Sequence, residues 1–158
     1  MSLRPWSHGT EVKKVLTSEE MWKGEMEKVL DVKLYSQLSR ELCKTAYYNK
    51  VHSISAPQVG INIRMFVFQS ITGHWITCFN PSVTRNLGSI AKRNELCCSS
   101  PKERGLVGRN NRITVQYFNM QGKLINATLT ELDAAFYLHE LDHLNGKGWK
   151  PLEGVKDV

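Results

Sequence analysis

The sequence predicts an α+β domain. Three observations carry that reading: helical spacing of apolar residues in the first fifty residues, two-residue alternation through the middle, and one well-marked helix near the end. In the first segment, Thr17 and Glu20 fit a capping box ahead of Met21, Trp22, Met26, Val29 and Leu30, which predicts an opening helix. Leu34, Leu38, Leu42 and Ala46 fall four apart, on one face of a second helix expected to end near Asn49. Ile63 to Gln69 reads as a strand, Thr72–Gly73 as a turn and Trp75 to Phe79 as the returning strand, with Asn80–Pro81 breaking it. From Arg112 to Phe118, Ile113, Val115 and Tyr117 alternate with polar residues. Asn119 to Gly122 would turn this strand onto Lys123 to Leu129. The last helix opens at Thr130 as N-cap, with Asp133 three residues on, and stops at Asn145–Gly146. The expected architecture is therefore N-terminal helices, antiparallel strands and a late central helix.

At 158 residues the chain suits a single domain spanning 1–158. Its 41% hydrophobic and 23% charged content is that of a soluble globular protein. The longest apolar runs, such as Met65 to Phe68, are far too short to span a bilayer, and Met1 to Trp6 lacks the features of a secretory signal. The net charge of +6 permits loose attraction to RNA or an acidic partner, but Lys and Arg are dispersed and no aromatic RNA-binding motif lies between them. No dedicated nucleic-acid site and no membrane association are expected. Cys43, Cys78, Cys97 and Cys98 form no CxxC pair or disulfide framework, which points to free thiols in a reducing compartment. Cys43 and Cys78 fit buried, unreactive positions, and His8 and His74 have no constellation around them.

The chemistry concentrates in His139-Glu140-Leu141-Asp142-His143. Residues four apart on a helix lie one turn apart on one face, so His139 and His143 can grip one ion. Glu140 sits about 100° around the helix from its neighbour, within reach of a water on that ion. A hydrolytic metal site ordinarily has three protein ligands and one open position. The third ligand could come from Cys97, Cys98, His8, His52, His74, Glu95 or Glu131, and the helix alone does not choose among them.

Three segments, in order, resemble the signatures of the peptide deformylase family. Val51-His52-Ser53-Ile54-Ser55-Ala56-Pro57-Gln58 stands against Gly-x-Gly-x-Ala-Ala-Pro-Gln. Glu95-Leu96-Cys97-Cys98-Ser99 stands against Glu-Gly-Cys-x-Ser, and His139 to His143 matches His-Glu-x-x-His throughout. The resemblance covers about residues 51 to 147 and implies a peptide-deformylase-like fold with Cys97 as the third ligand. It implies one divalent metal, typically ferrous iron, with zinc, nickel or cobalt as other occupants. It also implies removal of the formyl group from the N-formylmethionine of nascent polypeptides, with release of formate, and contact with the ribosome. Glu140 would handle protons, and the Gln58 side-chain amide and the Cys98 backbone N–H would face the oxyanion. Glu95 and Arg109 occupy positions of a supporting ion pair, and Asp142 that of a further support. His52, Ser53, Leu132, Ala135 and Phe136 would line a methionine pocket, and Arg104 would touch the substrate further along. The compartment would be the cytoplasm of a bacterium or a mitochondrial or other organelle matrix.

The departures matter. Val51, Ser53 and Leu96 replace three motif glycines and Ser55 an alanine, so added side chains should reshape a cleft that peptides line. Reduced activity on common formyl-Met peptides is expected. Three competing readings remain. A degenerate relative would bind metal, peptide or ribosome without efficient turnover. Another HExxH hydrolase would keep its metal after loss of Cys97. An RNA-binding module would show salt-sensitive binding indifferent to the ligands.

Overall fold

The computed structural model describes residues 11–147, with the backbone alone described over 101–104. Its frame is one five-stranded antiparallel sheet in the order β1-β2-β3-β4-β5. These strands are β1 (Ser53–Ser55), β2 (Met65–Gln69), β3 (Trp75–Cys97), β4 (Ser100–Phe118) and β5 (Leu124–Thr130). Two α-helices, α1 (Ser36–Tyr48) and α2 (Glu131–Leu144), complete the α+β architecture, with short 3-10 turns at Val32–Tyr35 and Ala56–Val59.

Strand β2 explains the layering. All five of its residues are buried, and its two-residue alternation sends them to opposite faces. Met65 and Val67 join Leu38, Leu42 and Ala46 of α1 in one apolar cluster. Phe66 and Phe68 join Ile113, Val115, Tyr117 and the α2 residues Ala134, Tyr137 and Leu144 in a second. Each helix thus covers one face of the sheet. Helix α2 is anchored by Tyr137, which is fully buried, meets Phe66 edge-to-face at 5.0 Å and donates its hydroxyl to the Ser82 carbonyl at 2.9 Å. Burying a ring of this size contributes about 2–3 kcal/mol.

Helix α1 ends against Asn49 and α2 against Asn145–Gly146, as their spacing predicts. Gly146 takes φ +73, the left-handed stop that a helix end favours. Thr130 is the N-cap of α2 by position, but its hydroxyl caps nothing. Asp133 is used differently. It accepts from Ser70 Oγ at 2.6 Å and Ile71 N at 3.0 Å, tying the start of α2 to the β2–β3 turn.

Two expectations fail outright, and Leu34, expected on the buried face of the second helix, instead lies in the 3-10 turn before α1 and is 74% exposed. The helix expected from Thr17 through Leu30 is not formed. The capping bonds exist, Thr17 N to Glu20 Oε1 at 2.9 Å and Glu20 N to Thr17 Oγ1 at 3.3 Å, but they close a single turn. Beyond it the chain runs extended, and Glu27 pairs with Asn62, Ile63 and Arg64. Met21, Met26 and Val29 are buried while Trp22 and Leu30 are exposed, a spacing that no helical face provides. Packing along the edge of the core outweighs weak local propensity. The second failure is at Asn80–Pro81, which bends β3 without ending it. Asn80 takes φ +50 at a register shift between Phe79 and Ser82, and its side chain exchanges two 2.8 Å bonds with the Val29 backbone. Strand β3 continues to Cys97 and returns as β4, a long ribbon that carries residue 97 back over α2.

Candidate active site

Helix α2 presents His139 and His143 on the side turned away from Tyr137, with Glu140 between His143 and the Tyr137 side, and all three are buried. The ribbon delivers Cys97 to them. Its Sγ lies 3.4 Å from His143 Nε2, and one ligand atom each from Cys97, His139 and His143 lies within 4.8 Å of the others. Burial holds the His143 imidazole down at about 3, so it is neutral, the form that ligates. Burial alone would also lower His139, but the Cys97 sulfur and the Glu95 carboxylate outweigh it and push it up to about 10. The cluster is therefore built to hold positive charge at this point. One thiolate-type and two imidazole donors suit a divalent ion such as iron or zinc, so the residues fit a metal centre.

The supports are equally specific. His139 Nδ1 meets Glu95 Oε1 at 2.7 Å, so in the neutral form that ligates a cation in place of the ring's second proton, Nε2 is the lone-pair nitrogen. Glu95 in turn receives Arg109 in a fork, Nε to Oε2 at 2.5 Å and Nη2 to Oε1 at 2.9 Å, and Arg109 Nη1 reaches Asp142 Oδ2 at 2.9 Å. Burial opposes the Glu95 charge, yet the bonds from His139 and Arg109 prevail and hold its carboxyl at about 2. A single guanidinium thus links the ribbon to the helix that bears both histidines.

Gln58 lies 1% exposed at the end of β1, in the 3-10 turn. Ser55 fixes its amide: Ser55 N donates to Oε1 at 2.9 Å and Ser55 Oγ at 3.1 Å. Nε2 is thereby turned toward Ser99 Oγ at 3.0 Å, Cys98 Sγ at 3.4 Å and Cys97 Sγ at 3.6 Å. Glu140 Oε2 accepts from Ser53 Oγ at 2.7 Å. Its Oε1 is buried and has no hydrogen-bond partner among the described residues, and burial raises its carboxyl above the usual range. An orphaned carboxylate oxygen beside a metal-ligand trio is suited to a water or substrate proton.

Beside the trio opens a cavity of about 170 Å³ walled by His52, Ser53, Leu132, Ala135 and Phe136, together with Leu96, Glu95 and His139. The His52 ring stacks on Phe136 with centroids 5.5 Å apart. Of the three residues replacing glycines, Leu96 is the exposed one on this wall, at 41%. Val51 also borders the cavity but is 7% exposed and packs into the α1 cluster. Ser53 turns its hydroxyl to Glu140. The Arg104 backbone pairs with Leu96 in β3, but its side chain lies outside the described residues, as does His8. His74, Cys43 and Cys78 stand apart from the site, the two thiols buried and pushed up by burial, Cys43 to about 12.

The residue pattern did not single out two contributors. Ser99 anchors the Gln58 amide, and its place in the second motif was the available signal. The segment around Leu16–Ser18 binds both motifs through the backbone, Leu16 N to the Gln58 carbonyl at 2.8 Å and Ser18 N to the Ser99 carbonyl at 2.9 Å. The Ser18 and Ser100 hydroxyls also meet. Backbone bonds leave no mark in a sequence.

A family model described as polypeptide deformylase matches residues 13–149. This chain belongs to that family. A deformylase of Alkaliphilus metalliredigens is 34% identical over 117 residues, which is 74% of this chain and 78% of that protein. One from Desulforudis audaxviator is 32% identical over 93 residues, 59% of this chain, and the chain spans about 60% of that relative's length. Among solved structures, a class I type b deformylase of Acinetobacter baumannii bound to Met-Ala-Ser superposes with a TM-score of 0.79 at 26% identity, covering 88% of this chain and 96% of the other. Among the described residues, no helix of this deformylase-family chain is long and apolar enough to cross a membrane.

Proposed function

We propose that this chain removes the formyl group from N-formylmethionyl peptides and releases formate. The observation carrying this reading is the convergence of Cys97, His139 and His143 with Glu140 Oε1, which is unpartnered among the described residues. Cys97, His139 and His143 would hold a divalent ion, ferrous iron in the first instance, which would supply Lewis-acid activation of water at neutral pH. Glu140 Oε1 accepts the proton of the attacking water and delivers it to the departing amine nitrogen. Burial raises the Glu140 carboxyl, which strengthens it as acceptor of the water proton. The Gln58 Nε2–H, its oxygen already committed to Ser55, offers a preoriented donor to the developing oxyanion, joined by the Cys98 backbone N–H. The cavity walled by His52, Phe136 and Leu132 takes the methionine side chain, a reading consistent with the peptide in the Acinetobacter structure beginning with Met. Glu95, Arg109 and Asp142 hold His139 in its ligating orientation.

Substrates would be nascent chains, met at the ribosome in a bacterial cytoplasm or an organelle matrix, and the net charge of +6 favours approach to an RNA-rich surface. Formate release by anaerobically iron-loaded protein across a set of formyl-Met peptides tests the reading. Wild type should release formate and Glu140→Ala should not, while retaining metal. A metal-loaded wild type inert on every peptide refutes turnover and leaves a metal- and peptide-binding protein.

A further inference from the structure

Ser53 stands at a position where the resembling first motif has glycine, and its side chain does something a glycine cannot. It lies on β1, whose alternation sends Ile54 into the core and leaves Ser53 bordering the cavity. Its backbone is fixed by pairing with Phe68 of β2. From there Oγ donates to Glu140 Oε2 at 2.7 Å. Among the described residues this is the one hydrogen bond made by the Glu140 side chain, since Oε1 has no partner.

We infer that Ser53 is a positioning residue, whose hydroxyl selects the orientation of the Glu140 carboxylate and leaves Oε1 as the oxygen that exchanges protons with water and leaving amine. The terminal torsion of a glutamate is broad and nearly two-fold, so packing alone defines it weakly. One bond from a strand-borne donor breaks that degeneracy, and a site built on a paired strand holds geometry better than one on a loop. The chain thus exchanges the open backbone of glycine for a tether on the proton-handling group. This role differs from simple narrowing of the cleft, which would act through the Ser53 Cβ and not through Oγ.

The inference rests on the deformylase reading, and the variants separate the two. Ser53→Ala keeps Cβ and removes only the hydroxyl. With the metal-loaded full chain, its kcat should fall roughly tenfold with KM unchanged, the size expected for losing one hydrogen bond to a charged group. Ser53→Gly should fall equally, and Ser53→Thr, which restores a hydroxyl, should regain most of the turnover. In a Glu140→Gln background, Ser53→Ala should add nothing further. A crystal structure of Ser53→Ala should show the Glu140 carboxylate rotated or in two conformers, a readout independent of turnover. A Ser53→Ala kcat within about twofold of wild type overturns the inference, as does Ser53→Gly with a gain in kcat/KM. If wild type releases no formate, the deformylase reading fails, and an unmoved Glu140 in Ser53→Ala crystals then overturns the inference as well.

Discussion

Replacing Arg109 with Met should strip the site of the cation that joins the β3–β4 ribbon to α2. Arg109 and Glu95 side chains are each 10% exposed and meet in a bidentate fork, so the substitution leaves a buried carboxylate with His139 as its remaining partner. Breaking a buried pair from one side costs about 3–5 kcal/mol. Proton linkage gives a similar size. The interval between the ordinary carboxyl value of 4.5 and the value of about 2 in the fold corresponds to about 3 kcal/mol. Arg109 shares that sum with His139, which places the expected loss near the bottom of the range, about 3 kcal/mol. The Asp142 contact adds little, because that side chain is 35% exposed and screened. Urea unfolding in the presence of chelator, so that bound metal contributes nothing, should show a lower midpoint with an unchanged slope, and melting should drop by roughly 6–12 °C. A control sets the physics apart from general damage. Replacing both Glu95 and Arg109 with Met removes the stranded charge and should recover much of the loss. A single-variant cost below about 1 kcal/mol, or a double variant as unstable as the single, would refute the buried-bridge account.

Acid should act through the same carboxylate. Glu95 has a folded value depressed to about 2, so its contribution is fully present above about pH 4.5 and disappears as pH falls toward 2. Wild type should therefore lose more stability between pH 5 and pH 2.5 than Arg109→Met does, as read by urea midpoints across that window. Gln58→Ala should lower the rate of formate release about a hundredfold at unchanged metal content, since an oxyanion donor contributes about 3 kcal/mol; a variant within about threefold of wild type would remove Gln58 from that role. Gly146→Ala should destabilise by roughly 2 kcal/mol, because an L side chain is strained at φ +73 and its Cβ would lie 2.7 Å from the Lys23 carbonyl. Equal thermal stability of the two proteins would mean that the α2 stop relaxes freely.

The local elements were legible because each repeats on the scale at which sequence is read. Leu38, Leu42 and Ala46 place α1, and Ile113, Val115 and Tyr117 place the start of the β4–β5 hairpin, since one buried face imposes one period. The ribbon from residue 82 to 111 was not legible. Its β3 arm is largely solvent-exposed, so no apolar alternation marks that arm, and cross-strand bonds hold it to β4. The segment from Thr17 to Leu30 misled in the opposite direction. A genuine capping box formed, yet pairing with Asn62–Arg64 and burial of Met21, Met26 and Val29 decided its conformation.

The amino-acid pattern by itself determined that one late helix carries two imidazoles and a carboxylate at a spacing able to serve a single ion, because four residues make about one turn wherever they occur. It also determined the family likeness, through three short motifs in order. Tertiary structure alone decided that Cys97 Sγ arrives 3.4 Å from His143, that Arg109 bridges ribbon and helix, and that Ser53 takes hold of Glu140. Those contacts join residues 33 to 87 positions apart. No helical or strand period extends that far; such neighbours are set by how a twisted ribbon and a buried helix pack around a shared core.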